Sequence, residues 1–199
     1  IQQKKTDDYL YLIVNSDYNF TLQPALILAS INYQDPDVVV EKKIKIVSRY
    51  LTKVLSWRVW NHSVISQSSM EAKIYDLCKA IRGMNVDELE AFLATDPIEK
   101  IPLSGYPTLN QQNNRKIRVL LSLITEIVAR ESGQPGYMLN QDSVEVEHIW
   151  CDHIEQHQDE CPTAADFSTA RNTIGDLLVL PKSFNASYGD DSYSDKLVH

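Results

Sequence analysis

Apolar residues recur at a spacing near 3.6 through roughly the first 135 positions, and the pattern then switches to strict alternation at Val144-Glu145-Val146-Glu147-His148-Ile149. A 3.6-residue period buries one stripe of a helix, whereas a two-residue period buries one face of a strand. The switch therefore predicts a mainly α chain with a small α+β part at its end. Tyr9, Leu10, Leu12 and Ile13 open the first amphipathic segment, and Thr21 is placed to cap a second over Leu22–Ile31. Asp35-Pro36-Asp37 starts a long helix reaching about Trp60, with Val40, Ile44, Val47, Leu51, Val54 and Leu55 on its apolar stripe. Further helices are expected over Ser69–Ile81, Asp87–Ala94 and Ile117–Ala129, with loops at Asn15–Asn19 and Asp96–Thr108.

Gln134-Pro135-Gly136 has the composition of a turn or linker. It places a boundary near residue 136, between a helical domain over 1–136 and a second domain over 137–199. In the second, Val144–Ile149 is a predicted strand, followed by a long irregular loop and a second strand, Ile174–Leu180. Pro181 is well placed to open a helix through Ser183, Phe184 and Asn185.

The chain has 199 residues, enough for one large domain or two small ones. No apolar run approaches the length of a bilayer span, so no membrane association is expected. Three cysteines without framework spacing point to a reducing compartment. The net charge of −8 is unevenly spread: residues 141–199 hold three Lys and Arg against twelve Asp and Glu, a balance of −9. Nucleic-acid binders carry a basic footprint, so any such footprint must lie outside this segment. The chain opens at Ile1 without a charged-then-apolar leader and reads as part of a longer protein, cut off shortly after Lys196.

Glu147, His148 and Asn185 bring chemistry into this frame. Phosphodiester hydrolysis on a metal needs a hard cation on oxygen ligands, such as a carboxylate and an amide carbonyl, and a base that titrates near neutrality. Neighbouring residues on a strand point to opposite faces unless the strand ends or bulges there. A strand–loop–strand–helix order can then carry the second ligand back toward the first.

The run from Val146 to Lys196 resembles the HNH domain at the C-terminus of GmrSD-type modification-dependent restriction enzymes, which are bacterial defence proteins. The resemblance rests on Glu147-His148-Ile149, on Asn172-Thr173-Ile174-Gly175-Asp176-Leu177-Leu178-Val179-Leu180, on Asn185 and on Lys196. It implies a ββα-metal unit holding Mg²⁺ or Mn²⁺. Glu147 and Asn185 would be metal ligands, His148 the general base, Asn172 a brace for His148, and Lys196 a phosphate or leaving-group contact. It further implies a cytoplasmic bacterial endonuclease acting on DNA, modified DNA included, partnered in the full protein by an N-terminal nucleotide-using domain. Two positions depart from the family pattern: Trp150-Cys151 stands where a Pro is usual, and Asp176 where an Asn is usual. The alternative is a non-catalytic helical interaction module, binding protein or DNA and carrying a degenerate HNH remnant.

Three weaker features complete the reading. Cys151, His153, His157 and Cys161 are all zinc-ligand types, although their spacing matches no standard finger. Lys42, Lys45, Arg49 and Lys53 form a basic stripe that could track a nucleic-acid backbone or be a solvated helix face. Arg115, Lys116 and Arg118 sit near a helix start, where the helix dipole disfavours cations, which suggests an anionic partner for Arg115 and Arg118.

Overall fold

A computed structural model describes residues 9–99, 105–134 and 144–182. The chain is mainly helical with one small antiparallel sheet, and it divides into two compact units, Ile1–Ser104 and Gly105–His199.

The first unit comprises α1 (Leu10–Asp17), α2 (Gln23–Ser30), α3 (Asp37–Trp60), α4 (Gln67–Ala80) and α5 (Val86–Leu93). α3 is its axis and carries α1, α2 and α5. Its apolar stripe supplies the reason: Val47, Leu51, Val54 and Leu55 have no exposed surface, while Val40 and Ile44, one turn or more nearer its start, are half-buried. Each such side chain is worth about 1.5–3 kcal/mol when withdrawn from water.

The start of α3 follows its sequence signal. Pro36 occupies the N-cap position in extended backbone, and Asp37 is the first helical residue. Asp35, just outside, does a second job. Its carboxylate accepts the Asn32 backbone N–H at 2.9 Å and the Lys43 ammonium at 2.7 Å. Lys43 is wholly buried, so its charge is matched where its stem packs. The Lys43 and Asn32 contacts hold the Asp35 carboxyl below the usual range.

The expected loop at Asn15–Asn19 is instead partly helical. Asn15 lies in α1 with no exposed surface, because its amide is the hub of a buried polar contact set. Its Nδ2 donates to Gln23 Oε1 at 2.7 Å and to the Ser48 carbonyl at 3.0 Å, while Thr52 Oγ1 donates to Asn15 Oδ1 at 2.7 Å. Three helices are thereby locked in register by groups that satisfy one another. Thr21 does not cap α2: Leu22 holds the cap position, and the Thr21 hydroxyl donates to Gln67 at 3.0 Å. α5 starts on a reciprocal capping box between Asn85 and Glu88. Gly83, at φ +81°, turns the chain into it from α4 in a conformation that glycine alone adopts freely.

The second unit contains α6 (Asn114–Glu131), β1 (Val144–His148), α7 (Ala164–Arg171) and β2 (Leu177–Pro181). α6 packs on the hairpin, and the compact units divide at Ser104/Gly105, while the boundary expected near residue 136 lies outside the described residues. β1 and β2 pair antiparallel without a bulge, from Val144 opposite Pro181 to His148 opposite Leu177. Two details differ from the sequence expectation. Ile174–Asp176 is a 3₁₀ turn, and the strand begins at Leu177. The loop between the strands contains α7, capped by Thr163, whose Oγ1 accepts the Asp166 N–H.

The cysteines are free and buried. Among the described residues, no helix is long and apolar enough to cross a membrane.

Candidate active site

His148 is the last residue of β1, and its position is fixed from three directions. Its strand pairing with Leu177 sets the backbone. Beyond it the chain bends at once, because Asp176 captures the next two amides. The Asp176 carbonyl accepts the Ile149 N–H at 2.8 Å, and its carboxylate accepts the Trp150 N–H at 3.2–3.3 Å. The side chain is then met by Asn172 at the end of α7: His148 Nε2 lies 3.1 Å from Asn172 Oδ1.

The roles in that contact can be assigned. Asn172 Nδ2 donates to the Ser168 carbonyl at 2.7 Å, which fixes the amide with its oxygen toward the imidazole. An amide oxygen only accepts, so Nε2 carries the proton and Nδ1 of the neutral ring keeps its lone pair. The Asn172 backbone is pinned too. Its carbonyl accepts the Leu109 N–H at 2.7 Å, and Thr108 bridges Thr173. The segment after Gly105 thus clamps the turn that presents Asn172.

Burial pushes the His148 imidazole below its ordinary pKa. The Asn172 contact and the Glu147 and Asp152 carboxylates oppose that shift, while the Arg171 guanidinium adds to it. A neutral imidazole near pH 7 follows. Arg171 donates from Nε to the Trp150 carbonyl at 3.1 Å, and its Nη1 lies 4.0 Å from Asp152. A cavity of about 290 Å³ opens beside this group, lined by Asp152, Phe167, Arg171 and Asn172 among others. Sequence reasoning missed Arg171. The signal available was its place directly before Asn172.

Glu147 occupies the preceding β1 position, opposite Leu178, and strand alternation puts it on the other face from His148. Because β1 ends at His148, the two side chains stand at the rim of the hairpin rather than along its length. Asn185 and Lys196 lie outside the described residues, as does the helix expected after Pro181. The oxygen donors of the Glu147 carboxylate and an Asn185 amide suit a hard cation such as Mg²⁺ or Mn²⁺.

The four zinc-type residues are not gathered into a ligand set. His157 stacks on Trp150 at 3.9 Å between ring centroids, and Phe167 extends the stack. Cys151 donates its thiol to Gln156 at 3.3 Å, and His153 contacts Glu155. Among the described residues, no three His, Cys, Asp or Glu side chains cluster as a metal site.

The basic stripe divides. Lys45, Arg49 and Lys53 line one groove of the first unit, and Lys42 is exposed outside it. Arg115 is exposed near the start of α6, and Arg118 is half-buried with its Nε lacking a hydrogen-bond partner among the described residues.

Comparison with protein-family models, with curated proteins and with solved structures finds no match to this chain.

Proposed function

We propose that the second unit is a metal-dependent endonuclease site of the HNH type, hydrolysing phosphodiester bonds in DNA with His148 as general base. The observation that carries this reading is the His148–Asn172 contact, which leaves a neutral imidazole with Nδ1 ready to accept a proton. The resemblance of Glu147-His148-Ile149 and Asn172–Leu180 to the restriction-enzyme HNH pattern supports it.

The division of labour follows from the chain's own groups. His148 Nδ1 takes a proton from the attacking water. Asn172 holds the ring's tautomer and orientation. Arg171 offers a positive charge at the edge of the adjoining cavity, where a phosphate oxygen can be met. Glu147 and Asn185 would hold Mg²⁺ or Mn²⁺. When bound, that ion supplies charge neutralisation on the phosphate and the departing oxygen.

Incubation of supercoiled plasmid with the chain and Mn²⁺ tests the reading. Nicking is expected, and EDTA or Glu147→Gln is expected to stop it. Undiminished nicking in EDTA would contradict a metal-dependent site. The second reading, an interaction module with a degenerate remnant, is favoured by the −9 balance of residues 141–199. It gains if the chain neither nicks DNA nor takes up Mn²⁺ in a calorimetric titration.

A further inference from the structure

Trp150 is held through its amide, its carbonyl and its ring. The Asp176 carboxylate accepts its N–H at 3.2–3.3 Å, and its carbonyl accepts the Arg171 Nε–H at 3.1 Å. The indole lies 3.9 Å from the His157 ring and 6.0 Å from that of Phe167, inclined by 14° to each. His157 and Phe167 are themselves 5.7 Å apart. Three pieces of chain thus meet in one aromatic cluster: the bend after β1, the short 3₁₀ turn Ile154–Gln156 that His157 closes, and α7.

The cluster matters most for α7. Phe167 is the buried residue of that helix, and among the described residues α7 makes no extensive contact with another helix or strand. Phe167 and Arg171 stand four apart, on one face of the helix. Both reach Trp150, the first ring to ring and the second from guanidinium to carbonyl. The ring contact holds the helix, and the Nε bond holds the guanidinium head, which leaves the Nη donors for the cavity that Arg171 lines. A free arginine head samples many rotamers, and ordering it at each encounter with a phosphate costs rate. Asn172 is anchored differently, by the Leu109 N–H on its carbonyl and by its own bond to the Ser168 carbonyl.

We propose that Trp150 is a positioning residue of the nuclease site, its ring docking α7 so that Arg171 is held at the cavity edge. The catalytic consequence rests on the nuclease reading, whereas the hold on Arg171 does not. Rings that merely covered the loop would lower stability when removed, with no specific effect on the guanidinium.

Exchange of the Arg171 Nε–H with water, followed by heteronuclear NMR on the metal-free full chain, tests the hold. The signal is identified by its loss in Arg171→Lys, and in the parent it should exchange more slowly than that of the exposed Arg115. Trp150→Ala should speed the exchange several-fold, and Trp150→Phe, which keeps a ring, should largely restore it. Both variants keep the backbone carbonyl, so any change reaches Arg171 through the ring. Phe167→Leu removes the ring on the helix side and should act in the same direction, which keeps the test open if Trp150→Ala fails to fold. Plasmid nicking in Mn²⁺ reads the consequence. Trp150→Ala should slow it by about 10–100-fold, and should add little to the loss already caused by Arg171→Ala, because the two side chains act as one unit. Unchanged Nε–H exchange in a folded Trp150→Ala or Phe167→Leu overturns the proposal, as do fully additive losses in the double variant. If the parent does not nick DNA, the nuclease reading fails, and the exchange rates still decide whether Trp150 holds Arg171.

Discussion

The imidazole of His148 and the amide of Asn172 meet at 3.1 Å, and Asn172 is itself tied to the Ser168 carbonyl at 2.7 Å. One side chain therefore sets both the tautomer and the direction of the other. Loss of such a supporting contact typically costs 10–100-fold. Asn172→Ala is expected to lower the plasmid-nicking rate by about that factor while leaving far-UV circular dichroism unchanged. An unaltered rate would separate Asn172 from the chemistry.

The same contact bears on proton affinity. Burial lowers the His148 pKa, Asn172 raises it, and Arg171 lowers it. In a metal-free NMR titration, His148 should protonate below the ordinary histidine value of about 6.5. Asn172→Ala should shift the midpoint further down, and Arg171→Ala should shift it up. Shifts of opposite sign would mean that these neighbours do not act on the ring as the geometry requires.

Asp176 offers a separate test. Its carboxylate accepts the Trp150 N–H, and its carbonyl accepts that of Ile149. Asparagine retains one side-chain acceptor, so Asp176→Asn should cost less than Asp176→Ala. Asp176→Ala leaves a half-buried N–H unmatched and should cost about 1–3 kcal/mol in urea unfolding.

In the first unit, Asp35 and Lys43 make a pH-dependent contribution. The folded Asp35 carboxyl is held below its unfolded pKa, so the stabilisation is present above the unfolded value. It is lost as pH falls through the folded one. Asp35→Asn should lower Tm at pH 7, and the difference from the parent should shrink toward pH 2. A constant difference across that range would show that the ion pair is not the cause.

Much of this arrangement is legible in the residues, because period and punctuation are local. Asp35-Pro36-Asp37 marks the start of α3, and Val144–His148 alternates as a half-buried strand must. What escapes the sequence is decided by long-range partners. Asn15 looks like a loop residue until Gln23, Ser48 and Thr52 satisfy it. α7 buries Phe167 alone, too thin a stripe for periodicity, although Thr163-x-x-Asp166 is a capping signature. Ile174–Leu180 is apolar enough for one strand, yet Asp176 turns aside to hold the Ile149 and Trp150 amides. His148 is visible in the motif, whereas its tautomer depends on Ser168, twenty residues further along the chain.

The most direct measurement is the rate at which supercoiled plasmid is nicked in Mn²⁺ by the parent chain and by His148→Ala, purified side by side and matched for folding. The account predicts nicking by the parent and a loss of at least about 100-fold in the variant, the contribution of a positioned general base. Equal rates from the two proteins would contradict it.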